Sequence, residues 1–196
     1  LHLCHHNLET INNTTSTTHD LLLEVCYAAQ HEGESLKNYH AKYQENYKDY
    51  GSTICTVLAR SFADIGDIVR GKDPFYGNTH ESKQREKLEE NLQKIFRNIY
   101  EGLKNGQKSA EAEKRYKDEA DNNFFKLRED WWNANRQEIW KAITCHVVSG
   151  KYFRKTCGSG NWTKDKCRCD DKSKPGKDGD VNIVPTYFDY VPQYLR

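Results

Sequence analysis

The chain has 196 residues, which is enough for one domain or two small ones. Lys and Arg number 30 against 29 Asp and Glu, so the net charge of +1 gives no general attraction to nucleic acid or acidic lipid. Only 36% of the residues are hydrophobic but 12% are aromatic, which predicts a core that depends on Trp, Tyr and Phe. No apolar run of about 18 residues is present, so we expect no membrane span in this segment.

Apolar residues recur at helical spacing in four stretches. The first begins near Asp20 and passes through Gly33, a weak point at which a helix is free to kink. The second is capped by Ser52 and is stopped by Gly71. The other two helices are predicted at about 83–104 and about 110–148. Four amphipathic helices predict an all-α bundle.

The segment from Lys141 to Lys177 is loop-rich and basic. It contains ten Lys or Arg against three Asp, a local charge of +7, with aromatic residues interleaved. This composition indicates a surface for sulfated glycan or another polyanion, or else a solvated Lys-rich loop with no ligand. The candidate ligand-binding residues are Lys151, Arg154, Lys155, Lys164, Lys166 and Arg168.

Seven cysteines stand in the sequence, at Cys4, Cys26, Cys55, Cys145, Cys157, Cys167 and Cys169. An odd number in a secreted-type chain leaves one thiol without an internal partner, and Cys4 is the natural candidate. The alternative is a cytosolic protein with reduced, buried thiols. The polar surroundings of the cluster from Cys145 to Cys169 argue against burial, so we expect disulfide bracing. The chain also lacks an initiator methionine and a signal peptide, which indicates an excerpt from a longer exported protein.

Catalytic and metal-binding patterns are weak. Asp64 and Asp67 share a helix face, but ion pairing with Arg60 and Arg70 is the favoured interpretation over an acid/base pair. The spacing around Cys167-Arg-Cys169 does not match a zinc site and suits two half-cystines with different partners. No nucleophile or phosphate-binding motif occurs, so the sequence predicts no enzyme, no cofactor and no metal.

Several motifs occur together and in order. They are Leu3-Cys4-His5-His6-Asn7-Leu8, Val25 to Gly33, Leu58 to Gly71, Trp131-Trp132-Asn133, Ile139 to Cys145, and Asp189-Tyr-Val-Pro-Gln-Tyr-Leu-Arg196. They closely resemble the Duffy-binding-like domains, alpha class, of the variant erythrocyte membrane adhesins of the falciparum malaria parasite. The resemblance covers practically the whole chain.

The resemblance implies an all-helical domain of three subdomains. Residues 1–18 would be the end of the first subdomain and a linker loop, 19–180 the helical second subdomain, and 181–196 a strap leading to the third. Cys4 would pair with a cysteine of the missing first subdomain, and Cys26 with Cys145. Cys55 would be tied to Cys157, Cys167 or Cys169, and the remaining two would close the basic loop.

The resemblance also implies a function. The chain would be a module for cytoadhesion or rosetting in an antigenically variant adhesin, on the extracellular face of the infected red-cell membrane as part of a larger membrane-anchored protein. Its partners would be a host receptor, either a protein or a glycan such as heparan sulfate or a blood-group antigen, together with neighbouring adhesin domains and antibodies, but not nucleic acid. The alternative is a scaffold that presents variable epitopes while the receptor site lies in other subdomains or domains.

Overall fold

A computed structural model describes residues 18–47, 53–73, 79–105, 109–116, 123–148, 150–157, 160–163, 165–169 and 184–196. The helices in these residues are α1 (Thr18–Tyr47), α2 (Ile54–Arg70), α3 (Thr79–Lys104), α4 (Ser109–Tyr116) and α5 (Phe125–Ile143). An isolated β-bridge joins Cys157 and Asn161. The expected fold class, a mostly helical and disulfide-braced bundle, is confirmed.

The predicted fourth helix, at about 110–148, is wrong as a single element. α4 ends at Tyr116 and α5 begins at Phe125. Phe124, directly before α5, has a φ of 51°, a left-handed conformation that a helix interior does not contain. Its ring is 5% exposed and lies 5.9 Å from the ring of Tyr100, so burial of the ring offsets the backbone strain.

The chain divides into two compact units. The first consists of Leu1–Cys4, Ala29–Ile65 and Arg136–Arg196. In its core the rings of Phe62 and Trp140 meet edge to face, with centroids 5.2 Å apart. Each of these side chains is fully buried. An aromatic core is what the composition predicts.

Gly33 lies inside α1, and the helix continues through it. A Cβ atom at this position would lie 2.0 Å from the carbonyl oxygen of Ile143, at the end of α5. Glycine is therefore required here because the two helix backbones approach closely, and the expected kink is not needed to explain it.

The second unit consists of His5–Ala28 and Gly66–Asn135. In its core Phe96 meets Trp131 edge to face at 6.1 Å. The guanidinium of Arg128, fully buried, donates to the carbonyl oxygens of Val69 at 2.6 Å and Ile68 at 3.3 Å. It also donates to both carboxylate oxygens of Glu89, at 2.5 and 2.8 Å. Arg128 thus supplies a donor to the Val69 carbonyl at the C-terminal turn of α2 and a second donor to the Ile68 carbonyl, which also accepts from the backbone N–H of Gly71.

The two aspartates of α2 are both paired with arginine. The predicted pair between Asp67 and Arg70 is confirmed, with 3.0 Å between carboxylate and guanidinium. Asp64 instead pairs with Arg196 at 3.0 Å, and Arg60 is exposed. The expectation for Asp64 was wrong because its partner lies far along the chain, at a distance that helical spacing does not reveal.

Candidate functional site

Two disulfide bonds brace residues 150–169, the segment that follows the last helix. One joins Cys55, at the start of α2, to Cys167, and the other joins Cys157 to Cys169. This is one of the arrangements that the resemblance left open. The bond between Cys157 and Cys169 also ties the basic stretch 166–168 to the chain just after the other basic stretch, 151–155.

Hydrogen bonds hold the segment where regular structure is absent. The indole N–H of Trp140 donates to the carbonyl oxygen of Cys167 at 3.1 Å. The backbone N–H of Tyr152 donates to the hydroxyl oxygen of Thr163 at 2.8 Å, and the hydroxyl of Tyr152 donates to that of Thr186 at 2.9 Å. Burial raises the pKa of Tyr152 above its ordinary value, which is itself well above neutral pH. These bonds give an irregular loop a fixed conformation.

Four of the six candidate ligand-binding residues are exposed: Lys151, Arg154, Lys155 and Lys166. None of the four forms an ion pair with any residue in the described ranges. The Arg154 guanidinium lies 5.1 Å from the ring of Phe153, and the Lys155 ammonium lies 5.7 Å from the ring of Trp162. We call these six residues the basic surface: Lys151, Phe153, Arg154, Lys155, Trp162 and Lys166.

Arg168, a fifth candidate, does not join the basic surface. The Arg168 guanidinium turns inward and donates to the hydroxyl of Thr144 at 3.1 Å and to the carbonyl oxygen of Lys141 at 2.9 Å. Burial lowers the pKa of Arg168 below its ordinary value. Its contacts therefore anchor the loop to the end of α5. Lys164 lies outside the described residues.

Arg136 of α5, which the sequence did not single out, fixes the C-terminal segment 184–196. Its guanidinium donates to both carboxylate oxygens of the buried Asp189, each at 2.7 Å, and to the carbonyl oxygen of Thr186 at 2.9 Å. It also lies 5.3 Å from the ring of Tyr187 and 5.5 Å from that of Tyr190. Arg136, which lies 53 residues before Asp189, therefore holds this segment together with the Tyr152–Thr186 hydrogen bond and the Asp64–Arg196 ion pair. Residues 181–183 of the predicted strap lie outside the described ranges.

Metal and membrane chemistry find no support in the described ranges. There, no group of three His, Cys, Asp or Glu is arranged to hold a metal ion. Cys157, Cys167 and Cys169 are disulfide-bonded and so have no thiolate for zinc. No helix in this part of the chain has the length and apolar character needed to cross a membrane.

The pairing of Cys26 with Cys145 stays a prediction, since the structure shows Cys145 with a free thiol. Burial raises the pKa of that thiol, although Lys166 and Arg168 act in the opposite direction. We expect iodoacetamide labelling of the purified, unreduced chain in denaturant to modify one cysteine, Cys4, which lies outside the described residues. Peptide mapping without reductant should recover three linked pairs. Labelling of both Cys26 and Cys145 would contradict the pairing.

Comparison with family models and comparison with solved structures point to the same family. The Duffy binding domain family matches residues 1–196. The crystal structure of the NTS-DBL1(alpha-1) domain of Plasmodium falciparum membrane protein 1 (PfEMP1), varO strain, is 41% identical, with a TM-score of 0.69 over 99% of this chain and 40% of that one. The varO NTS-DBL1-alpha and CIDR-gamma double domain is also 41% identical, with a TM-score of 0.73 over 99% of this chain and 25% of that one.

A more distant solved structure is the P. falciparum PfEMP1 IT4var13 DBLbeta domain bound to ICAM-1. It is 31% identical, with a TM-score of 0.57 over 74% of this chain and 34% of that one. The chain therefore spans less than half the length of each of these solved relatives. A comparison with curated proteins gives no match. Because the family match extends over the whole chain, the chain belongs to the Duffy binding domain family.

Proposed function

We propose that this chain is part of a host-receptor binding module of a variant adhesin exposed on the surface of the infected red cell. It has no catalytic role in this proposal. The basic surface is its contact with a sulfated glycan, on a red-cell or endothelial receptor. The observation that carries the assignment is a set of four exposed cations that have no ion-pair partner in the described part of the chain, two of them beside exposed aromatic rings.

The chemistry of this surface suits a sulfated sugar. Sulfate groups pair with ammonium and guanidinium groups, and binding releases the counterions of the polyanion. Phe153 and Trp162 are 41% and 44% exposed, so each ring leaves apolar area for the face of a sugar. The two disulfides fix the backbone beneath these side chains, so surface residues are free to vary between adhesins without loss of the fold.

The family relationship supports the receptor-binding role. One relative was solved bound to ICAM-1, and the others are NTS-DBL1-alpha domains of PfEMP1. Membership of this family also supports exposure on the infected cell, antigenic variation, contact with neighbouring domains of the same adhesin, and recognition by antibodies.

Reversal of three charges tests the basic surface. We expect the triple variant Lys151→Glu, Arg154→Glu, Lys155→Glu to bind heparin about tenfold or more weakly at physiological salt, because three cation–sulfate contacts become repulsive. The plot of log affinity against log salt concentration should become shallower, with the magnitude of its slope smaller by about 2 to 3. Surface plasmon resonance on immobilised heparin at four salt concentrations measures both quantities.

A matched control is the triple variant Lys37→Glu, Lys42→Glu, Lys94→Glu, which changes the net charge equally. These lysines are exposed and lie outside the basic surface. We expect the control to keep most of the heparin affinity and the original salt slope. Equal behaviour of the two triple variants would show that net charge alone governs binding, and would overturn the assignment to this surface.

The alternative, a scaffold whose receptor site lies in other subdomains or domains, is favoured by one observation. The chain spans 40% of the solved alpha-class domain that it resembles. Binding of heparin and intact red cells by the 196-residue chain and by the complete adhesin domain separates the two proposals. Binding by the complete domain alone favours the scaffold or a site completed by other subdomains.

A further inference from the structure

The second compact unit contains a cleft that the proposed function does not use. It lies beside the C-terminal end of α2, the first half of α3 and the start of α5, and its volume is about 650 Å³. That volume falls within the range of about 300 to 1,000 Å³ that is usual for ligand pockets. The cleft is therefore large enough for one long side chain.

One part of the cleft wall is apolar. Ile68, Leu88 and Leu92 contribute to it, and each of them is otherwise almost fully buried. Phe125, the first residue of α5, also lines the cleft and is 50% exposed. An aliphatic chain placed against these residues would remove apolar surface of both partners from water.

When the ion pairs within the chain are taken into account, the charged part of the cleft has an excess of carboxylates. Asp73 pairs with Arg85 at 3.0 Å, and the Glu89 carboxylate pairs with Arg128 at 2.5 Å. Glu86 and Glu90 also line the cleft, and both are exposed. Neither has an ion-pair partner among the described residues. They are four positions apart on α3, so their side chains lie on the same helix face.

We propose that this cleft receives a lysine or arginine side chain from a protein partner. The aliphatic stem of such a side chain packs on Phe125 and the leucines, while the cationic head reaches Glu86 and Glu90. The ring of Phe125 adds a favourable interaction with the cation. Charge selects this occupant, because the exposed carboxylates of Glu86 and Glu90 repel a sulfated or phosphorylated ligand. This cleft shares no residue with the basic surface, and it binds a cationic partner, whereas the basic surface binds an anionic one.

A short cationic peptide is the probe for the cleft. Fluorescence anisotropy with labelled acetyl-(Arg)4-amide measures its dissociation constant for the 196-residue chain. We expect the double variant Glu86→Gln, Glu90→Gln to raise that constant about fivefold or more, since two charge contacts are removed. Phe125→Ala should raise it about threefold through lost packing. Circular dichroism checks that each variant keeps its helix content.

Two controls make the outcome decisive. The double variant Glu101→Gln, Glu113→Gln removes two exposed carboxylates outside the cleft and should bind the peptide within about twofold of the original chain. A peptide with citrulline in place of arginine keeps the shape without the charge and should bind at least about fivefold more weakly. Equal binding by the two double variants, equal binding of the two peptides, or no binding to the original chain would each overturn the proposal.

Discussion

Removal of the disulfide between Cys55 and Cys167 should lower the free energy of unfolding by about 4 to 5 kcal/mol, because the bond closes a loop of more than 100 residues in the unfolded chain. The two cysteines are 112 residues apart. Both are fully buried, so alanine is preferable to serine, which would leave an unpaired hydroxyl in the core. Guanidinium unfolding of the Cys55→Ala, Cys167→Ala variant, followed by tryptophan fluorescence, measures the loss.

The second disulfide provides the comparison. Cys157 and Cys169 are 12 residues apart, so their replacement by alanine should cost about 3 kcal/mol or less. The effect on binding should differ as well. Loss of the short-range bond opens the loop that carries Trp162 and Lys166 of the basic surface, and should weaken heparin binding while α1 to α5 keep their circular dichroism. A larger loss of stability from the short-range pair than from the long-range pair would contradict this assignment of roles.

The sequence predicted helices well where local signals agreed. α2 begins at Ile54 and ends at Arg70, just before the glycine stop. The predicted cap, Ser52, lies outside the described residues, and the hydroxyl oxygen of Thr53 accepts from the backbone N–H of Thr56 at 3.4 Å. The break between α4 and α5 was missed because apolar residues continue at helical spacing through it. The helix is interrupted by the left-handed backbone of Phe124, and that backbone conformation depends on the contact of the Phe124 ring with Tyr100. A tertiary contact of this kind has no local signature.

The sequence predicted which segment carries the candidate site, but not which of its cations are exposed. The charge excess pointed to the segment in which Lys151, Arg154 and Lys155 are exposed. It could not distinguish them from Arg168, whose guanidinium is taken up by backbone and hydroxyl oxygens. The role of Arg136 was missed for a related reason, since its partner Asp189 is 53 residues away. A single sequence contains no signal for such a distant pair.

The ion pair between the buried Arg128 and Glu89, in the second unit, likewise has no signal in a single sequence. Arg128 and Glu89 are 39 residues apart, and their contact also depends on carbonyl groups at the end of α2. A buried arginine is stable only when several acceptors converge on it. That convergence is a property of three packed elements, so no pattern within one helix predicts it.

Gly33→Ala should destabilise the chain by about 3 kcal/mol, at the upper end of the usual cost of overpacking. Alanine favours a helix interior by about 1 kcal/mol over glycine, so local propensity predicts the opposite sign. The steric clash outweighs this gain in helix propensity, because the new Cβ would lie 2.0 Å from the carbonyl oxygen and 2.9 Å from the carbonyl carbon of Ile143. A backbone group cannot rotate away as a side chain can, so α1 and α5 must separate and expose core residues of the first unit.

Gly102→Ala makes the same chemical change where no atom stands in the way. Gly102 lies in α3, is exposed, and a Cβ atom there would have nothing within 4 Å. This variant should gain about 0.5 to 1 kcal/mol from helix propensity. Chemical denaturation of both variants measures the two changes, which should have opposite signs. If Gly33→Ala were as stabilising as Gly102→Ala, the close approach of α1 to the end of α5 would be wrong. The first unit would then lack the rigid helix pair from which the basic segment extends.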